Sequence, residues 1–299
     1  MSKREAIARY NLIINKLRKA PATFNEVSDY LSRESELQDY NFNVSKRTFQ
    51  RDVADILSIY HIDIQFDFNR GVYHIESDSQ PDINNRMLEA FDIFYVLNIA
   101  DGLSQFIHLE KRRPQGTEHL YGLLHAIKNK VGIRFSYQKF WEEEVTQRTA
   151  EPYGLKEFKN RWYLLAKDIK DDHVKSFALD RLTNLEITRK PFERSKTYSV
   201  EESYRYCFGI ISPNDMLPEE VVLSFEPVQG KYIKSLPLHE TQQVAIDNED
   251  ELQVKLKICI THDFIMELLS FGANMKVLKP KTLTWAIKNA HMDAVKQYL

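Results

Sequence analysis

The chain has 299 residues, with 41 Lys and Arg residues against 43 Asp and Glu residues and a formal net charge of −2. At roughly 150 residues per domain, this length predicts two or three domains. The balanced charge excludes a uniformly basic chain of the histone kind but not one local basic patch, and 43% hydrophobic residues exclude a disordered chain.

The first two predicted elements are amphipathic helices separated by a proline. Ser2 with Glu5, and Thr23 with Glu26, have the three-residue spacing of a capping box. A polar stretch, residues 32–43, follows the second helix. The apolar stripes that should face the core are Ile7, Tyr10, Ile13, Ile14 and Leu17 in the first helix, and Phe24, Val27, Tyr30 and Leu31 in the second.

A third helix and a β-hairpin follow. The helix is predicted to start at Ser45, whose hydroxyl can cap it, and Val44 is placed to pack on Phe49. Residues 62–68 alternate apolar and polar side chains and predict a strand, and residues 72–75 predict the return strand. The inward face of the helix comprises Phe49, Val53, Ile56 and Leu57, and the turn comprises Asn69, Arg70 and Gly71.

The outer face of this third helix is basic at its start. A basic helix followed by a hairpin predicts a winged helix-turn-helix, because the major groove of DNA accepts one α-helix whose first turns reach base edges. Arg47 and Gln50 can bond base edges and Arg51 can bond phosphates, whereas the alternative is a solvated charged face. The predicted DNA-binding residues are Lys46, Arg47, Thr48, Gln50 and Arg51, with Arg70 at the hairpin tip.

The middle of the chain changes from helices to strands. Residues 76–82 predict a linker, residues 83–108 a long helix broken at Asp101-Gly102, and residues 133–188 a small, partly closed β-barrel. A short helix before the barrel has its apolar stripe at Leu120, Leu123, Leu124 and Ile127. The strands are predicted at residues 133–137, 148–155, 161–166, 175–179 and 185–188, with turns at residues 159–160, 171–172 and 183–184.

The last third alternates strands and helices in the order βαββαβ, which is typical of a ferredoxin-like unit. Strands are predicted at residues 221–225, 241–246, 252–260 and 275–278, and helices at residues 228–235, 263–270 and 280–299.

Residues 161–166, Arg-Trp-Tyr-Leu-Leu-Ala, resemble the WYL domain, which is named for the central tripeptide. Residues 268–272 and 277–280 resemble the extension that usually follows WYL domains. This resemblance implies a bacterial transcriptional regulator with an Sm-like barrel that senses a ligand. Further segments with the likeness are Ile133-Arg-Phe-Ser-Tyr137, Glu151-Pro-Tyr-Gly-Leu155 and Phe177-Ala-Leu-Asp-Arg-Leu182.

A ligand site is predicted on the barrel. Tyr137, Tyr153 and Arg181 can converge from neighbouring strands, and aromatic faces with a guanidinium suit a nucleotide or a single-stranded nucleic acid. The WYL resemblance places Tyr137 and Arg181 in the ligand-binding surface and implies a basic residue at Lys175. The family often has a second basic residue at the position of Ala178, so the expected affinity for phosphate is lower in this chain. The alternative for Arg181 is an ion pair with Asp180, and the expectation for Trp162, Tyr163 and Leu164 is the barrel core.

Other features predict ordinary structure. The three histidines His108, His119 and His125 lack the spacing of a metal site, so no metal and no cofactor are expected. Cys207 has no obvious base beside it, so it is not expected to be a catalytic nucleophile. The chain has two cysteines, which are too few for a disulfide framework at this length. Residues 171–173 predict a turn and residues 142–144 a hairpin tip, whereas Phe91, Phe94 and Tyr95 predict helix packing.

The sequence therefore predicts an α+β protein of several domains. These are a winged helix-turn-helix at residues 1–76, a helical linker at 77–116, the WYL domain at 117–200, and a ferredoxin-like C-terminal extension at 201–299 that helps to form a homodimer. We expect a cytoplasmic transcriptional regulator that binds a double-stranded DNA operator and a nucleotide or single-stranded nucleic acid effector. No apolar run is long enough to span a membrane. The alternatives are a nucleic-acid-processing enzyme and a protein-interaction module that uses the winged helix.

Overall fold

The computed structural model describes residues 3–38, 40–99, 116–194, 198–212 and 216–299. The chain forms two compact units, Met1–Glu110 and Lys111–Leu299. The fold is mixed α/β, with helices at the N-terminus and antiparallel sheets after them, as predicted. No helix within the described ranges combines the length and the hydrophobicity that a membrane crossing requires.

The first unit contains the predicted helices and hairpin in the predicted order. The second capping box is present: the Thr23 amide donates to Glu26 Oε2 at 2.7 Å, and the Glu26 amide donates to Thr23 Oγ1 at 3.2 Å. The first capping box involves Ser2, which lies outside the described residues. The elements are α1 (Lys3–Lys19), α2 (Phe24–Gln38), α3 (Lys46–Tyr60), β1 (Ile62–Asp67), β2 (Val72–Asp78) and α4 (Pro81–Ile99).

Two segments of this unit are more ordered than their composition indicated. Helix α2 continues to Gln38 through the predicted polar stretch, in which Glu, Leu and Gln favour helix. The Ser35 hydroxyl accepts from the amide of Phe42 at 2.9 Å, and that phenylalanine is fully buried. The predicted linker at residues 76–82 is reduced to two residues, because β2 extends to Asp78 and α4 begins at Pro81.

The inward face of α3 differs from the prediction at three positions. Leu57 is 46% exposed, whereas Tyr60 is buried in its place. Asp52 is fully buried between Phe49 and Ile56, which sequence reasoning missed. The long helix α4 shows a similar difference: Phe91 packs on the core but Phe94 is 52% exposed.

The buried Asp52 forms an ion pair with a buried arginine of α1. Arg9 Nε donates to Asp52 Oδ2 at 2.7 Å and Nη2 donates to Oδ1 at 2.9 Å. Both side chains are 1% exposed. The next two residues of α1 also bond to α3: the Tyr10 hydroxyl donates to Asp55 at 2.7 Å, and Asn11 accepts from the Tyr60 hydroxyl at 2.7 Å.

The second unit begins with helix α5, which packs on a five-stranded antiparallel sheet in the order β6-β5-β4-β3-β7. Ile133, Phe135 and Tyr137 are buried, as their alternation predicted. The inward side of α5 is formed by Leu123 and the small Ala126, whereas Leu124 is 52% exposed. The elements are α5 (Leu120–Asn129), β3 (Val131–Gln138), β4 (Val145–Phe158), β5 (Arg161–Asp168), β6 (His173–Ala178) and β7 (Leu182–Pro191).

The connection between β6 and β7 is not the predicted turn at Thr183-Asn184. A short 3-10 turn, Leu179–Arg181, makes this connection, and Asn184 lies inside β7 with a positive φ of 53°. The register between β3 and β7 shifts at this point, so the asparagine accommodates an irregularity in the strand.

A four-stranded antiparallel sheet in the order β11-β8-β10-β9 follows. From β8 onward the elements have the predicted order βαββαβ, and the helices α8 and α9 cover the apolar face with Phe264, Leu268 and Leu283. A short helix that was not predicted precedes the sheet. The elements are α6 (Val200–Tyr204), β8 (Glu219–Phe225), α7 (Pro227–Ser235), β9 (Gln243–Asp247), β10 (Leu252–Ile258), α8 (His262–Ser270), β11 (Met275–Lys279) and α9 (Lys281–Lys296).

The Arg9–Asp52 pair generates a stability prediction. Asp52→Ala leaves a buried guanidinium without its partner, so we expect the free energy of unfolding to fall by about 3–5 kcal/mol. Denaturant unfolding measures this change. Asp29→Ala, which removes an exposed aspartate of α2, is the control and should change stability by about 0.5 kcal/mol or less.

The double variant Arg9→Met/Asp52→Leu distinguishes the stability cost of an unpaired buried charge from the cost of lost side-chain volume. It removes both charges, so it should recover much of the stability that Asp52→Ala loses. Equal costs for Asp52→Ala and Asp29→Ala would contradict the assignment of the ion pair.

Candidate functional site

The basic start of α3 is a capped helix N-terminus. The Ser45 backbone is extended (φ −73°, ψ 159°), and its hydroxyl accepts from the Thr48 amide at 3.2 Å. Arg47 and Arg51 are exposed, as are Lys46 and Gln50 beside them. Thr48 differs from the other predicted contacts, because it is half-buried and its hydroxyl lies 3.0 Å from that of Ser45.

The hairpin tip places Arg70 in solvent. Asp67 Oδ1 fixes the turn by accepting from the amides of Asn69 at 2.8 Å and Arg70 at 3.1 Å. Gly71 has a φ of +67°, a conformation that L side chains rarely adopt. The turn also exposes Phe68 by 88%, although the alternation along the strand predicted an inward side chain.

In the second unit, Arg181 and Tyr137 meet beside an open cleft of about 290 Å³. The Arg181 guanidinium carbon lies 5.5 Å from the Tyr137 ring centroid and 4.7 Å from that of Phe140. Burial raises the pKa of Tyr137, and the Arg181 charge opposes this shift. The cleft therefore combines a cation held against aromatic faces with polar walls. Its lining comprises Gln138, Lys139, Phe140, Val145, Asp180, Arg181 and Thr183.

The backbone holds Arg181 in this position. Its 3-10 turn approaches Gly116 so closely that a Cβ at that glycine would collide with the Leu179 backbone. Gly116 also has a φ of +90°, so glycine is required there for two reasons. On the other side, the buried Ala178 donates its amide to the Tyr137 hydroxyl at 3.3 Å. The position where the WYL family often has a second cation is thus part of the core in this chain.

The alternative role of Arg181 as an ion-pair partner of Asp180 is only partly realised. Arg181 Nε lies 3.9 Å from Asp180 Oδ1, which is too far for a hydrogen bond. These two atoms are buried and have no hydrogen-bond partner among the described residues. The other oxygen of Asp180 lies 3.3 Å from Arg161 Nη1, so the carboxylate is shared between two arginines.

Lys175 lies in a different cluster, at the β5–β6 end of the sheet. Its ammonium donates to Asp168 Oδ2 at 3.1 Å and also to Asp171. Arg148 bonds to the same oxygen of Asp168 at 3.0 Å. Burial lowers the pKa of Lys175 but the bonds to the two carboxylates raise it, and the net direction is upward. The charge of Lys175 is thus matched within the fold.

Tyr153 also lies apart from the cleft. Its ring stacks on Phe192 at 5.9 Å and contacts Tyr198 at 5.5 Å, and Arg194 lies 5.3 Å from its centroid. The structure therefore brings Tyr137 and Arg181 together and places Tyr153 and Lys175 elsewhere. Of the WYL tripeptide, Leu164 is fully buried, whereas Trp162 and Tyr163 are half-buried on opposite sides of the strand.

Sequence reasoning missed the aromatic pair at the β3–β4 hairpin tip. Phe140 and Trp141 are 73% and 76% exposed, and Lys139 lies 5.8 Å from the Trp141 ring. Two adjacent aromatic residues in an otherwise charged hairpin were the available signal, since turns rarely need them. The residues Glu142, Glu143 and Glu144 form the connection at the tip, as predicted.

The histidines have ordinary surroundings where they are described. His119 Nε2 lies 3.1 Å from the carbonyl oxygen of Leu182, and His125 is exposed on α5. His108 lies outside the described residues. Asp171 and Asp172 lie in a turn, as predicted, and Asp172 has a φ of +62°, whereas His173 begins β6.

Two domain families match the second unit. The family model of the WYL domain matches residues 118–187, and that of the WCX domain matches residues 217–295. Both matches cover the segments whose motifs carried the resemblance. The protein PafB of Mycobacterium tuberculosis is 38% identical over 69 residues, which cover 23% of this chain and 21% of PafB, and PafB of Mycobacterium bovis matches equally. The chain thus spans about a fifth of the length of these relatives.

Two solved structures match over most of the chain with low similarity. Proteasome accessory factor B/C (PafBC) of Arthrobacter aurescens has 18% identity and a TM-score of 0.35, covering 95% of this chain and 45% of that one. A CRISPR Cas-related protein has 10% identity and a TM-score of 0.40, covering 85% of this chain and 74% of that one.

Proposed function

The chain is a WYL-domain protein with a C-terminal WCX domain, and from this premise we propose that it is a DNA-binding transcriptional regulator, not an enzyme, whose activity responds to a ligand. The observation that carries the proposal is the start of α3, where Lys46, Arg47, Gln50 and Arg51 project into solvent from a capped helix. A hairpin with an exposed arginine at its tip follows this helix, which is the arrangement that a winged helix-turn-helix uses on duplex DNA.

We propose the following organisation for this function. The winged helix-turn-helix occupies residues 1–76, a helical linker residues 77–116, an Sm-like WYL domain residues 117–200 and a ferredoxin-like extension residues 201–299. The element order from β8 to α9 and the antiparallel sheet supports the last assignment. The register shift in the long strand β4 between Pro152 and Gly154 supports a partly closed sheet in the WYL domain, because bulges of this kind bend a strand.

On DNA, the exposed residues of α3 have separable roles. Arg51→Ala should weaken binding to all duplexes alike and reduce the slope of log K against log salt concentration by about 0.9, because one phosphate contact is lost. Arg47→Ala should cost about 1–3 kcal/mol on the preferred sequence and relax the preference at one base pair. Fluorescence anisotropy with selected and random duplexes of about 30 bp, three helical turns, measures both effects.

The matched control is Arg189→Ala, which removes the same charge from an exposed position on β7. It should leave affinity, salt slope and sequence preference unchanged. If wild type binds no duplex even at low salt, or if Arg51→Ala and Arg189→Ala behave alike, the DNA-binding role of α3 is wrong. The first outcome would favour a protein-interaction module.

We propose that the effector is a nucleotide or a single-stranded nucleic acid that occupies the cleft beside Arg181. The guanidinium is held against the Phe140 ring at 4.7 Å, so a phosphate can meet the cation while a base stacks on the exposed aromatic residues of the hairpin tip. The volume of about 290 Å³ is at the small end of ligand pockets, which suits one nucleotide unit. An effector that binds this cleft more tightly in one conformation of the protein shifts the population toward that conformation, and so changes DNA binding.

Arg181→Ala should weaken binding of a labelled oligothymidylate by roughly tenfold or more, since a charge-assisted hydrogen bond contributes about 1.5–3 kcal/mol. Arg181→Lys keeps the charge without the planar fork and should bind with intermediate affinity. The titration is carried out in an Arg47→Ala/Arg51→Ala background, so that α3 does not contribute.

Arg189→Ala, on the adjacent strand, is again the control and should bind like its parent. If the parent binds no oligonucleotide or mononucleotide at low salt, the effector class is wrong. If it binds and Arg181→Ala binds equally well, the effector occupies another face of the domain.

We propose that the regulator is a homodimer formed through its C-terminal extension. Trp285 of α9 is 69% exposed and Leu217 is 82% exposed, and an open apolar groove of about 600 Å³ lies beside Met216, Ile260 and Leu283. Exposed apolar patches of this kind are typical of protein interfaces. Two copies of a winged helix would also match a two-fold symmetric operator.

Light scattering at micromolar concentration should give about twice the 35.2 kDa chain mass. Trp285→Glu should shift the mass toward one chain, because a charge at an apolar interface is costly to bury. Trp141→Glu, which alters an exposed tryptophan of the β3–β4 hairpin, should leave the mass unchanged. A wild-type protein that is monomeric both free and on DNA would contradict the dimer.

A further inference from the structure

The chain has only two cysteines, and the fold places them side by side. Cys207 follows helix α6 and Cys259 follows strand β10, and the two residues are partners in a parallel β-bridge. The Cys259 amide donates to the Tyr206 carbonyl at 2.7 Å. Residues paired in this way lie about 4.8 Å apart, which is within the Cα separation of about 4.4–6.8 Å that a disulfide requires.

The two thiols are free, buried and close to each other. Cys207 is 5% exposed and Cys259 is 2% exposed. The thiol of Cys259 lies within hydrogen-bonding reach of Cys207. Each thiol also has a weak contact with a backbone carbonyl, at 3.6 Å from Ser203 and from Met216 respectively. The bridge between the two residues therefore already brings both thiols into one small region of the core.

The surroundings affect how readily either thiol ionises. Burial raises the pKa of Cys207 to about 12, and the nearby charge of Lys156 opposes this shift. Lys156 is half-buried, with its ammonium 5.3 Å from the Tyr204 ring centroid. The thiolate is the reactive form, so the raised pKa of Cys207 makes oxidation of this pair slow. The positive charge of Lys156 favours ionisation of the same thiol.

We propose that Cys207 and Cys259 form a reversible intramolecular disulfide when the protein meets a small oxidised disulfide such as oxidised glutathione. One protein thiolate attacks a glutathione sulfur, which breaks the S–S bond, releases one glutathione thiolate and leaves a mixed disulfide. The second protein thiolate then attacks the protein sulfur of that mixed disulfide and releases the second glutathione. Two protons and two electrons leave the protein thiols, and one oxidised glutathione becomes two reduced molecules.

The bond would join two parts of the second unit. Cys207 packs in a small core with Leu165 of β5 and with Tyr204 and Ile210, so its segment is anchored to the WYL domain. Cys259 continues the central strand β10 of the WCX domain. A disulfide between them closes a loop of about 50 residues and restricts the unfolded chain, which raises stability. The oxidised protein would then hold its two domains together more firmly than the reduced protein.

The experiment equilibrates the full chain with excess oxidised glutathione, for hours at a pH of about 8.5, near the pKa of a free thiol. Thiols are then counted in denaturant, peptides are mapped by mass spectrometry, and thermal unfolding is followed with and without reductant. We expect the loss of both free thiols, a peptide that joins Cys207 to Cys259 within one chain, and a higher Tm that reductant reverses.

Cys207→Ala and Cys259→Ala are the matched controls, since each leaves one cysteine that has no partner in its own chain. Both should show no rise in Tm under oxidant and at most a glutathione adduct. Wild-type protein that keeps both thiols, that carries only glutathione adducts, or that forms disulfides only between chains would overturn the proposal. The wild-type peptide map decides the question even if an alanine variant fails to fold.

Discussion

The buried ion pair between Arg9 and Asp52 fixes the orientation of α3, and the proposed DNA-binding face depends on it. A charged pair in the core is stable only with good geometry and bonded partners, and here two bonds at 2.7 and 2.9 Å meet that condition. With Asp52 held toward α1, the opposite side of the helix must face solvent. Arg47 and Arg51 are exposed while Asp52 is buried, so a contact in the core determines which cations DNA can reach.

Three consecutive residues of α1 reinforce this constraint. Arg9, Tyr10 and Asn11 each bond to α3, and the last of these bonds involves the hydroxyl of Tyr60. Burial raises the pKa of Tyr60 to about 12, so the hydroxyl stays a donor at any physiological pH. Directional bonds allow fewer arrangements than apolar contacts do, and a register slip of one helix turn would leave all three unsatisfied.

Local signals predicted most of the elements but not these long-range contacts. The capping box at Thr23 and the alternation from Ile133 to Tyr137 depend on residues a few positions apart, and both are present. Arg9 and Asp52 are 43 residues apart, and periodicity alone assigns a charged residue to solvent. The displacement of Leu57 from the inward face has the same origin, because the buried aspartate and Tyr60 occupy the positions that contact α1.

The same limit applies to the ligand site, where charge in the sequence does not reveal which charge is free. Lys175 and Arg181 are both cations near the end of the sheet, and the sequence predicted both as ligand-binding residues. The fold surrounds Lys175 with Asp168 and Asp171, which match its charge. Among the described residues, Arg181 has only a distant, shared carboxylate and aromatic faces beside it. The carboxylates that tertiary structure places beside a cation therefore decide whether that cation can bind a phosphate. Of Lys175 and Arg181, Arg181 is the one that lines a cleft.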